Sequence, residues 1–242
     1  MFSVLSPGSE NRDRAMNNPF RPDQERARQS VRAGAACLFL ILVGACASPP
    51  AEENPFLEPL APSISQARDV VVRVQQSTTE IAQMGAELTF VQRRDRLLKV
   101  GAENFNLPLM AELSYGLGYR ALTPDQRKTW VNTFILFRAS ASAKLNSHFR
   151  GQVYRLIAFE QVSDEVVMIR TGIRYPRHAV EIVADYRLMR VGDRWKIFDR
   201  NSPPSVSEIA MRRAEYRTIL EKEGFNGLIL DMDRRIAGYS AH

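Results

Sequence analysis

The stretch that most constrains the fold is Glu165–Arg200, which is patterned as consecutive β-strands. Its first part, Val166–Tyr175, is rich in β-branched residues and precedes a turn signal at Pro176–His178. From Val180 to Leu188, apolar and polar residues alternate. Because successive side chains of a strand lie on opposite faces, this alternation predicts a half-buried strand with one apolar face.

Two more strands complete a predicted antiparallel sheet. Gly192–Asp193 forms a tight turn into Arg194–Asp199, and an earlier strand is expected over Gln152–Val162. A sheet with one apolar face must cover that face with helices or with a ligand. The pattern therefore predicts an α+β fold with a mainly antiparallel four-stranded sheet, and it leaves open what covers the apolar face.

Three capping boxes, in which Ser or Thr is followed three residues later by Gln or Glu, predict helix starts at Ser63, Thr123 and Ser205. Gly224 stands where a left-handed C-terminal cap belongs. With the apolar spacing between these signals, we expect helices over Ser63–Met84, Thr89–Val100, Thr123–Leu145, Ser205–Glu223 and Gly227–Ile236.

One face of the helix that begins at Thr123 carries three large aromatic residues, Trp130, Phe134 and Phe137. Their spacing of four and three residues places them on one side of a helix. Spacing alone favours an ordinary core, and a ligand-lining role stays open as the alternative.

The first 45 residues are predicted to be a targeting segment. Ala33–Ala45 is apolar for about 13 residues, too short to span a bilayer but suited to a signal-peptide core. It ends in Val43-Gly44-Ala45-Cys46, which resembles the bacterial lipobox, where the cysteine is lipidated and becomes the new N-terminus. The alternative is ordinary cleavage nearby, with Cys46 incidental. Ala47 rather than Asp follows the cysteine, which by this resemblance favours the outer membrane over the inner membrane.

These signals divide the chain into three predicted parts: a signal peptide with lipobox over residues 1–45, a Pro-rich tether over residues 46–62, and one α+β domain over residues 63–242. The two cysteines are Cys37, inside the apolar run, and Cys46. No cysteine is left for a disulfide in the domain, so its stability must come from the hydrophobic core.

The sequence offers little for catalysis. The three histidines, His148, His178 and His242, are isolated from one another, and no nucleophile motif is present. We therefore expect no enzyme activity, no metal and no cofactor. The net charge of +6 is spread along the chain rather than clustered, which argues against nucleic-acid binding.

One cation interrupts an apolar stripe. On the helix predicted from Ser205, the stripe passes through Arg213 before it reaches Tyr216 and Leu220. An arginine on such a face needs a partner, because an unpaired buried charge is costly. Asp199 or Glu215 would serve as an ion-pair partner, and a lipid phosphate at a pocket mouth is the alternative.

Seven segments, taken in order, carry a resemblance to a known family: Phe105–Met110, Ala121–Arg127, Tyr186–Leu188, Trp195–Asp199, Val206–Ser207, Arg213–Tyr216 and Gly224–Ile229. In these segments the chain resembles the MlaC family of periplasmic phospholipid-binding proteins, also called the toluene-tolerance family. The run Ser207–Arg213 is similar to the branch associated with hopanoid biosynthesis, HpnM.

The resemblance implies a twisted sheet and several helices that enclose a deep apolar cavity for acyl chains. It also implies a carrier that moves phospholipid, or a hopanoid-type lipid, between an outer-membrane lipoprotein complex and an inner-membrane ABC-transporter complex. A non-catalytic lipoprotein subunit in hopanoid or outer-membrane assembly, with a filled core, is the alternative. Cavity volume distinguishes the two, because a packed core leaves little more than water-sized voids.

For a carrier, we expect the lipid to be contacted by apolar and aromatic residues of the helices and strands, with an arginine at the headgroup. The expected contacts are Phe105, Leu109, Met110, Trp130, Phe134, Phe137, Val167, Ile169, Ile173, Ile182, Tyr186, Leu188, Arg213, Tyr216 and Leu220.

Overall fold

The computed structural model of the chain describes residues 61–202 and 206–240. The predicted signal peptide, Cys46 and nearly all of the predicted tether lie outside the described residues. In the part of the chain that is described, no helix is long and apolar enough to cross a membrane.

The helices lie before and after the sheet in the chain. They are α1 (Pro62–Gln83), α2 (Phe90–Asn104), α3 (Leu107–Tyr115), α4 (Pro124–Leu145) and α5 (Glu208–Ser240). Two short 3-10 helices, Gly85–Glu87 and Leu117–Ala121, lie between them. Helix α3 was expected only as a short apolar segment. The side chain of Asn106 caps it by accepting a hydrogen bond of 3.4 Å from the Leu109 amide.

The helix starts test the three predicted capping boxes. Thr123 forms its box with Gln126, as predicted. The box at Ser63 is wrong: α1 begins at Pro62, whose fixed φ suits a first helical position, and the Ser63 hydroxyl donates to Gln161 Oε1 instead. Ser205 lies outside the described residues, and α5 begins at Glu208 with Ser207 Oγ accepting from the Ala210 amide at 3.1 Å.

The sheet is antiparallel throughout, with the strand order β1-β2-β3-β4-β5. The strands are β1 (Val153–Ser163), β2 (Val166–Arg174), β3 (Ile182–Val191), β4 (Arg194–Ser202) and β5 (Val206–Ser207). The α+β prediction is confirmed. The two-residue β5 is an addition to the four expected strands. Val180, the first residue of the predicted alternating strand, lies before β3 and is 76% exposed.

A bulge in β4 changes which side chains lie on the inner face of the sheet. Leu188 of β3 pairs with Ile197, but two residues earlier Tyr186 pairs with Arg200, so β4 contains one extra residue between these pairs. Because faces alternate along a strand, the extra residue places Arg200 on the same face as Ile197 and Tyr186. Without the bulge, Asp199 would occupy that face.

Two large hydrophobic clusters hold the domain together. In the first, α1 packs Val70, Val71 and Val74 against the inner face of β2, β3 and β4. In the second, α3, α4 and α5 pack around Trp130. The Trp130 ring centroid lies 5.3 Å from that of Tyr115 and 5.2 Å from that of Tyr216, both edge-on, which is favourable for aromatic pairs.

The turn between α2 and α3 fixes the helices to the sheet. The Asn106 amide donates a hydrogen bond of 2.8 Å to the carbonyl of Ile197 in β4. Next to it, Phe105 packs against both hydrophobic clusters. This connection sets the position of the helical layer relative to the inner face of the sheet.

Gly224 interrupts α5 with φ of +67° and ψ of −168°, a backbone conformation that favours glycine. We predict that Gly224→Ala lowers the free energy of unfolding by about 1–2 kcal/mol through backbone strain, because no atom lies near its added Cβ. Gly238→Ala in the same helix, also with no atom near the Cβ, is the control. It should be neutral or stabilising by up to about 1 kcal/mol. Urea denaturation measures the free energy of unfolding of both variants. Equal changes in the two would contradict the backbone strain predicted at position 224.

Candidate functional site

A cavity of about 270 Å³, partly open to solvent, lies between the sheet and helices α1, α2 and α4. The helical side and the α2–α3 turn contribute Val74, Gln75, Thr78, Leu97, Leu98, Val100, Gly101, Phe105, Leu107, Ile135, Arg138, Ala139, Ser142, Leu145 and Asn146. The sheet and the segment before it contribute His148, Arg150, Gln152, Tyr154, Ile173, Tyr175, Tyr186 and Arg200. The volume is far larger than a water-sized void.

The cavity has a mouth and a closed interior. Leu145, His148 and Arg150, at the end of α4 and in the segment that follows, are exposed. Ala139 and Tyr186 are buried. Residues of α4 line the cavity from Ile135 to Leu145, a length of about 15 Å along a helix. The cavity therefore extends inward alongside α4 from an open end.

A larger groove, of about 510 Å³, lies between α1 and strands β1 and β2. Gln75, Gln152 and Tyr154 line both the groove and the cavity, so these side chains form the partition between them. Gln75 is held in place by a buried hydrogen bond of 3.2 Å from its Nε2 to Thr171 Oγ1.

The cavity lining is mixed in polarity. Hydroxyl groups of Thr78, Tyr154, Tyr175 and Tyr186 belong to it, beside the aliphatic side chains from α1 and α2. Burial raises the pKa of Tyr154, and the neighbouring Tyr186 and Tyr175 raise it further. The Tyr154 hydroxyl therefore stays protonated at neutral pH and is able to donate a hydrogen bond.

An ion pair stands beside the inner end of the cavity. Arg138 of α4 donates two hydrogen bonds to Glu208, of 2.9 and 3.0 Å. Burial raises the pKa of the Glu208 carboxyl, but the charge and hydrogen bonds of Arg138, with weaker attraction from Arg200 and Arg212, together hold the pKa below its ordinary value. The pair joins α4 to the start of α5, because Glu208 is the first residue of that helix.

Arg200 lies beside this pair on the inner face of the sheet, where the β4 bulge places it. Its guanidinium carbon is 5.8 Å from the centroid of the Tyr186 ring. The Nε atom is buried, and within residues 61–202 and 206–240 it has no hydrogen-bond partner.

Three of the predicted lipid contacts line the cavity: Phe105, Ile173 and Tyr186. Ile169 lines the groove instead. Ile182 is 39% exposed at the start of β3, and Leu109 is partly exposed. The others pack in the hydrophobic clusters: Val167 and Leu188 against α1, and Met110, Trp130, Phe134, Phe137, Tyr216 and Leu220 among the helices α3 to α5.

The aromatic face of α4 therefore packs as core, which is what its spacing favours. Trp130 also donates a hydrogen bond of 2.9 Å from its ring nitrogen to the Ala111 carbonyl of α3. The α4 residues that line the cavity lie on an adjacent face, from Ile135 through Ala139 and Ser142.

Arg213 does not line the cavity, and the expected ion pair is wrong. Its side chain is exposed, and Nε donates a hydrogen bond of 2.8 Å to the Leu113 carbonyl at the end of α3. The two expected partners are engaged elsewhere. Asp199 accepts from Ser207 Oγ at 2.7 Å, and Glu215 is paired with Arg212 and Arg235.

Sequence reasoning missed most of the lining from α1 and α2. These helices showed an apolar periodicity, which identifies a buried face without distinguishing a packed face from one that borders a cavity. The polar lining residues were missed because they come from distant parts of the chain. Arg200 directly follows the predicted strand Arg194–Asp199, and the bulge that places it on the inner face has no sequence signal.

The described residues show no arrangement that favours catalysis. Among them, no three His, Cys, Asp or Glu side chains are grouped to hold a metal ion. At the mouth, Ser147 Oγ lies 3.0 Å from His148 Nδ1, but the two are adjacent in the chain. In the described part of the chain, no carboxylate pairs with this histidine to orient it as a base.

The Arg138–Glu208 pair predicts an acid-sensitive contribution to stability. Because the pKa of Glu208 is lowered in the folded state, its contribution is full above the unfolded pKa and is lost as pH falls through the folded value. Glu208→Gln should lower the free energy of unfolding by about 1–3 kcal/mol at pH 7, and the loss should shrink towards pH 3. Glu221→Gln, whose side chain is 68% exposed, is the control and should change little at either pH. Urea denaturation at pH 7 and at pH 3 measures the free energy of unfolding of both variants. If Glu208→Gln loses the same free energy at both pH values, the ion pair does not make the acid-sensitive contribution.

The comparisons agree with this architecture. A phospholipid-binding protein from Ralstonia solanacearum, whose structure was solved in complex with a phospholipid, superimposes with a TM-score of 0.62 at 16% identity. The match covers 72% of this chain and 99% of that one, and it shows a shared fold. None of the curated proteins compared matches the sequence. Residues 68–234, well over half of the chain, match the family model described as MlaC protein, and the chain therefore belongs to the MlaC family.

Proposed function

We propose that this protein is a periplasmic lipid carrier that shelters acyl chains in the cavity between its sheet and its helices. The observation that carries the proposal is the cavity itself, which has exposed lining residues at the end of α4 and buried ones, such as Ala139 and Tyr186, further in. An unfilled cavity of this size costs packing energy, so its presence supports a ligand that occupies it.

The aliphatic side chains of the lining suit an acyl chain. Val74, Leu97, Val100 and Ile135 border the cavity from three helices. Each methylene group moved from water into such surroundings contributes about 0.8 kcal/mol. An acyl chain that lies alongside α4 would therefore be held without many polar contacts. Of the contacts expected from sequence, we propose Phe105, Ile173 and Tyr186 as those that touch it.

The MlaC family membership and the Ralstonia neighbour support a phospholipid, or a hopanoid-type lipid, as the ligand. We propose that the protein moves this lipid between the inner and outer membranes, with an inner-membrane ABC-transporter complex and an outer-membrane lipoprotein complex as its partners. Lipidation of Cys46 would tether the domain through the Pro-rich segment. Because Ala47 rather than Asp follows the cysteine, we propose the outer membrane as the site of the tether. The mechanism requires binding and release and no catalysis.

A lipoprotein subunit with a filled core is the second candidate. That candidate requires the sheet and helices to pack directly on one another. The cavity and the adjoining groove, of about 270 and 510 Å³, favour the carrier.

Filling the cavity tests the proposal. Ser142 of α4 lines the cavity, whereas Asn132 of the same helix is exposed and does not. We predict that Ser142→Trp weakens the binding of a fluorescent phospholipid by about tenfold or more, because the indole would occupy the space of several methylene groups. Asn132→Trp should bind like the unchanged protein.

Circular dichroism and urea denaturation confirm that both variants are folded before binding is compared. Equal binding by the two tryptophan variants would mean that the phospholipid lies elsewhere on the protein, and it would overturn the assignment of this cavity.

A further inference from the structure

We propose that the rim of the cavity mouth docks onto the surface of an anionic lipid bilayer. The rim combines exposed apolar side chains with exposed arginines: Leu145, Phe149, Val153 and Val180 with Arg150, Arg174 and Arg177. This inference rests on the proposed function, because a lipid would enter and leave the cavity at this mouth. It specifies the surface that the mouth contacts.

The first side of the rim is the end of α4 and the segment that leads into β1. Leu145 is the last residue of α4 and lines the cavity. Phe149 precedes β1 and Val153 begins it, and both line the adjoining groove. These three side chains therefore lie beside the two openings.

The second side of the rim is the connection from β2 to β3. Tyr175, the first residue of this connection, lines the cavity. Pro176 packs against Gly151 so closely that an added Cβ at Gly151 would lie 2.7 Å from Pro176 Cγ. The same connection carries Val180, which is exposed. The connection and the segment before β1 therefore form one continuous rim.

The apolar side chains of the rim are the first argument for a docking surface. Single exposed apolar residues are common on protein surfaces and need no explanation. Here four large ones lie on adjoining segments beside the mouth, and Phe149 is an aromatic residue that is 40% exposed. Apolar groups gathered among polar neighbours are typical of an interaction surface.

The arginines of the rim are the second argument, because they stand beside the apolar side chains. Arg150 follows Phe149 in the chain, and Arg174 pairs with Val153 across β1 and β2. Arg177 lies in the connection from β2 to β3. None of the three arginines forms an ion pair with another described residue.

The acids at this end of the domain do not cancel the positive charge. Glu181 is engaged by an arginine of β1 at 2.7 Å. Glu80 and Glu87 lie at the end of α1 and just after it. Arg93 and Arg96 of α2 reach the same segment, through the Gly85 carbonyl and the Met84 sulfur. The rim arginines therefore remain as excess positive charge.

This mixture of side chains suits a bilayer better than a protein partner. The core of a protein interface is depleted of charged residues, whereas the rim alternates apolar side chains with arginines. In a bilayer interface, apolar side chains reach the acyl boundary while guanidinium groups stay with the lipid phosphates. Anionic lipids add an electrostatic attraction of about fivefold in affinity for each cation near the surface.

The test measures which side of the protein meets the bilayer, because lipidation of Cys46 would bring the full chain to any vesicle. The full chain carries Val180→Trp as a reporter. Val180 lines neither the cavity nor the groove, and the native Trp130 and Trp195 are buried. The vesicles contain lipids brominated on their acyl chains, because bromine quenches tryptophan emission only at close range.

We expect phosphatidylcholine vesicles with about one third phosphatidylglycerol to quench the reporter, and pure phosphatidylcholine to require about tenfold more lipid. Leu117→Trp is the control reporter, since Leu117 is fully exposed in the 3-10 helix after α3 and lines neither space. It should not be quenched. Phe149→Trp is a second rim reporter if Val180→Trp does not fold.

Charge variants test the arginines in the same chain. Neither Arg174 nor Arg177 lines the cavity or the groove. Changing both to Gln should raise the amount of anionic lipid needed for half of the quenching by about tenfold or more. Arg217→Gln with Arg234→Gln, at exposed positions of α5, is the matched control and should stay within about twofold.

Three results would overturn the docking surface. The first is equal quenching of the Val180→Trp and Leu117→Trp reporters, or equal effects of the two pairs of charge variants. The second is quenching that persists after the vesicles are removed by centrifugation, which would report lipid carried by the protein. The third is a rim reporter that no vesicle quenches, which would assign the rim to a protein partner.

Binding of a fluorescent phospholipid in solution separates this inference from the proposed function. If the protein binds the phospholipid but its rim reporters are not quenched by anionic vesicles, only the docking surface is rejected. If the rim reporters are quenched and then recover when the vesicles are removed, but the protein binds no phospholipid, the proposed function is rejected and the docking surface stands.

Discussion

The structure depends on one constraint: the inner face of the sheet must be kept from water, and the helices cover it without contacting all of it. Helix α1 packs directly on β2, β3 and β4 through its valines. The end of α2 is held close to β4 by the Asn106–Ile197 hydrogen bond of 2.8 Å. Helix α4 is joined to α5 by the Arg138–Glu208 pair. The cavity is the space that this arrangement leaves.

The helical layer is able to stand off the sheet because it has a core of its own. Trp130, Phe134 and Tyr216 pack within the helices rather than against the strands. Because each layer contains a hydrophobic cluster of its own, with Phe105 packed against both, the layers can enclose a space between them, although an empty space costs packing energy. This division explains why the large aromatics of α4 do not line the cavity although the same helix borders it.

The sequence predicted the antiparallel strands, four of the helices and the order of elements, because hydrophobic period and capping signals are local. The helix start at Ser63 was misplaced by one residue, because Pro62 competes for the first turn. The lining was predicted poorly. Phe105, Ile173 and Tyr186 were found, but Gln75, Tyr154 and Arg200 were not, because cavity lining depends on how distant elements meet. The β4 bulge shifts the register by one residue and has no sequence signal of its own.

In the native protein, we expect the cavity to hold an amphiphile. Native mass spectrometry of the full chain, purified without added lipid from a Gram-negative host, measures this directly. We expect a bound species of lipid mass in stoichiometric amount, which organic extraction releases and which binds again when the lipid is added back. A folded protein that carries no such species, and takes up neither added phospholipid nor fatty acid, would contradict it and favour a protein–protein interaction role.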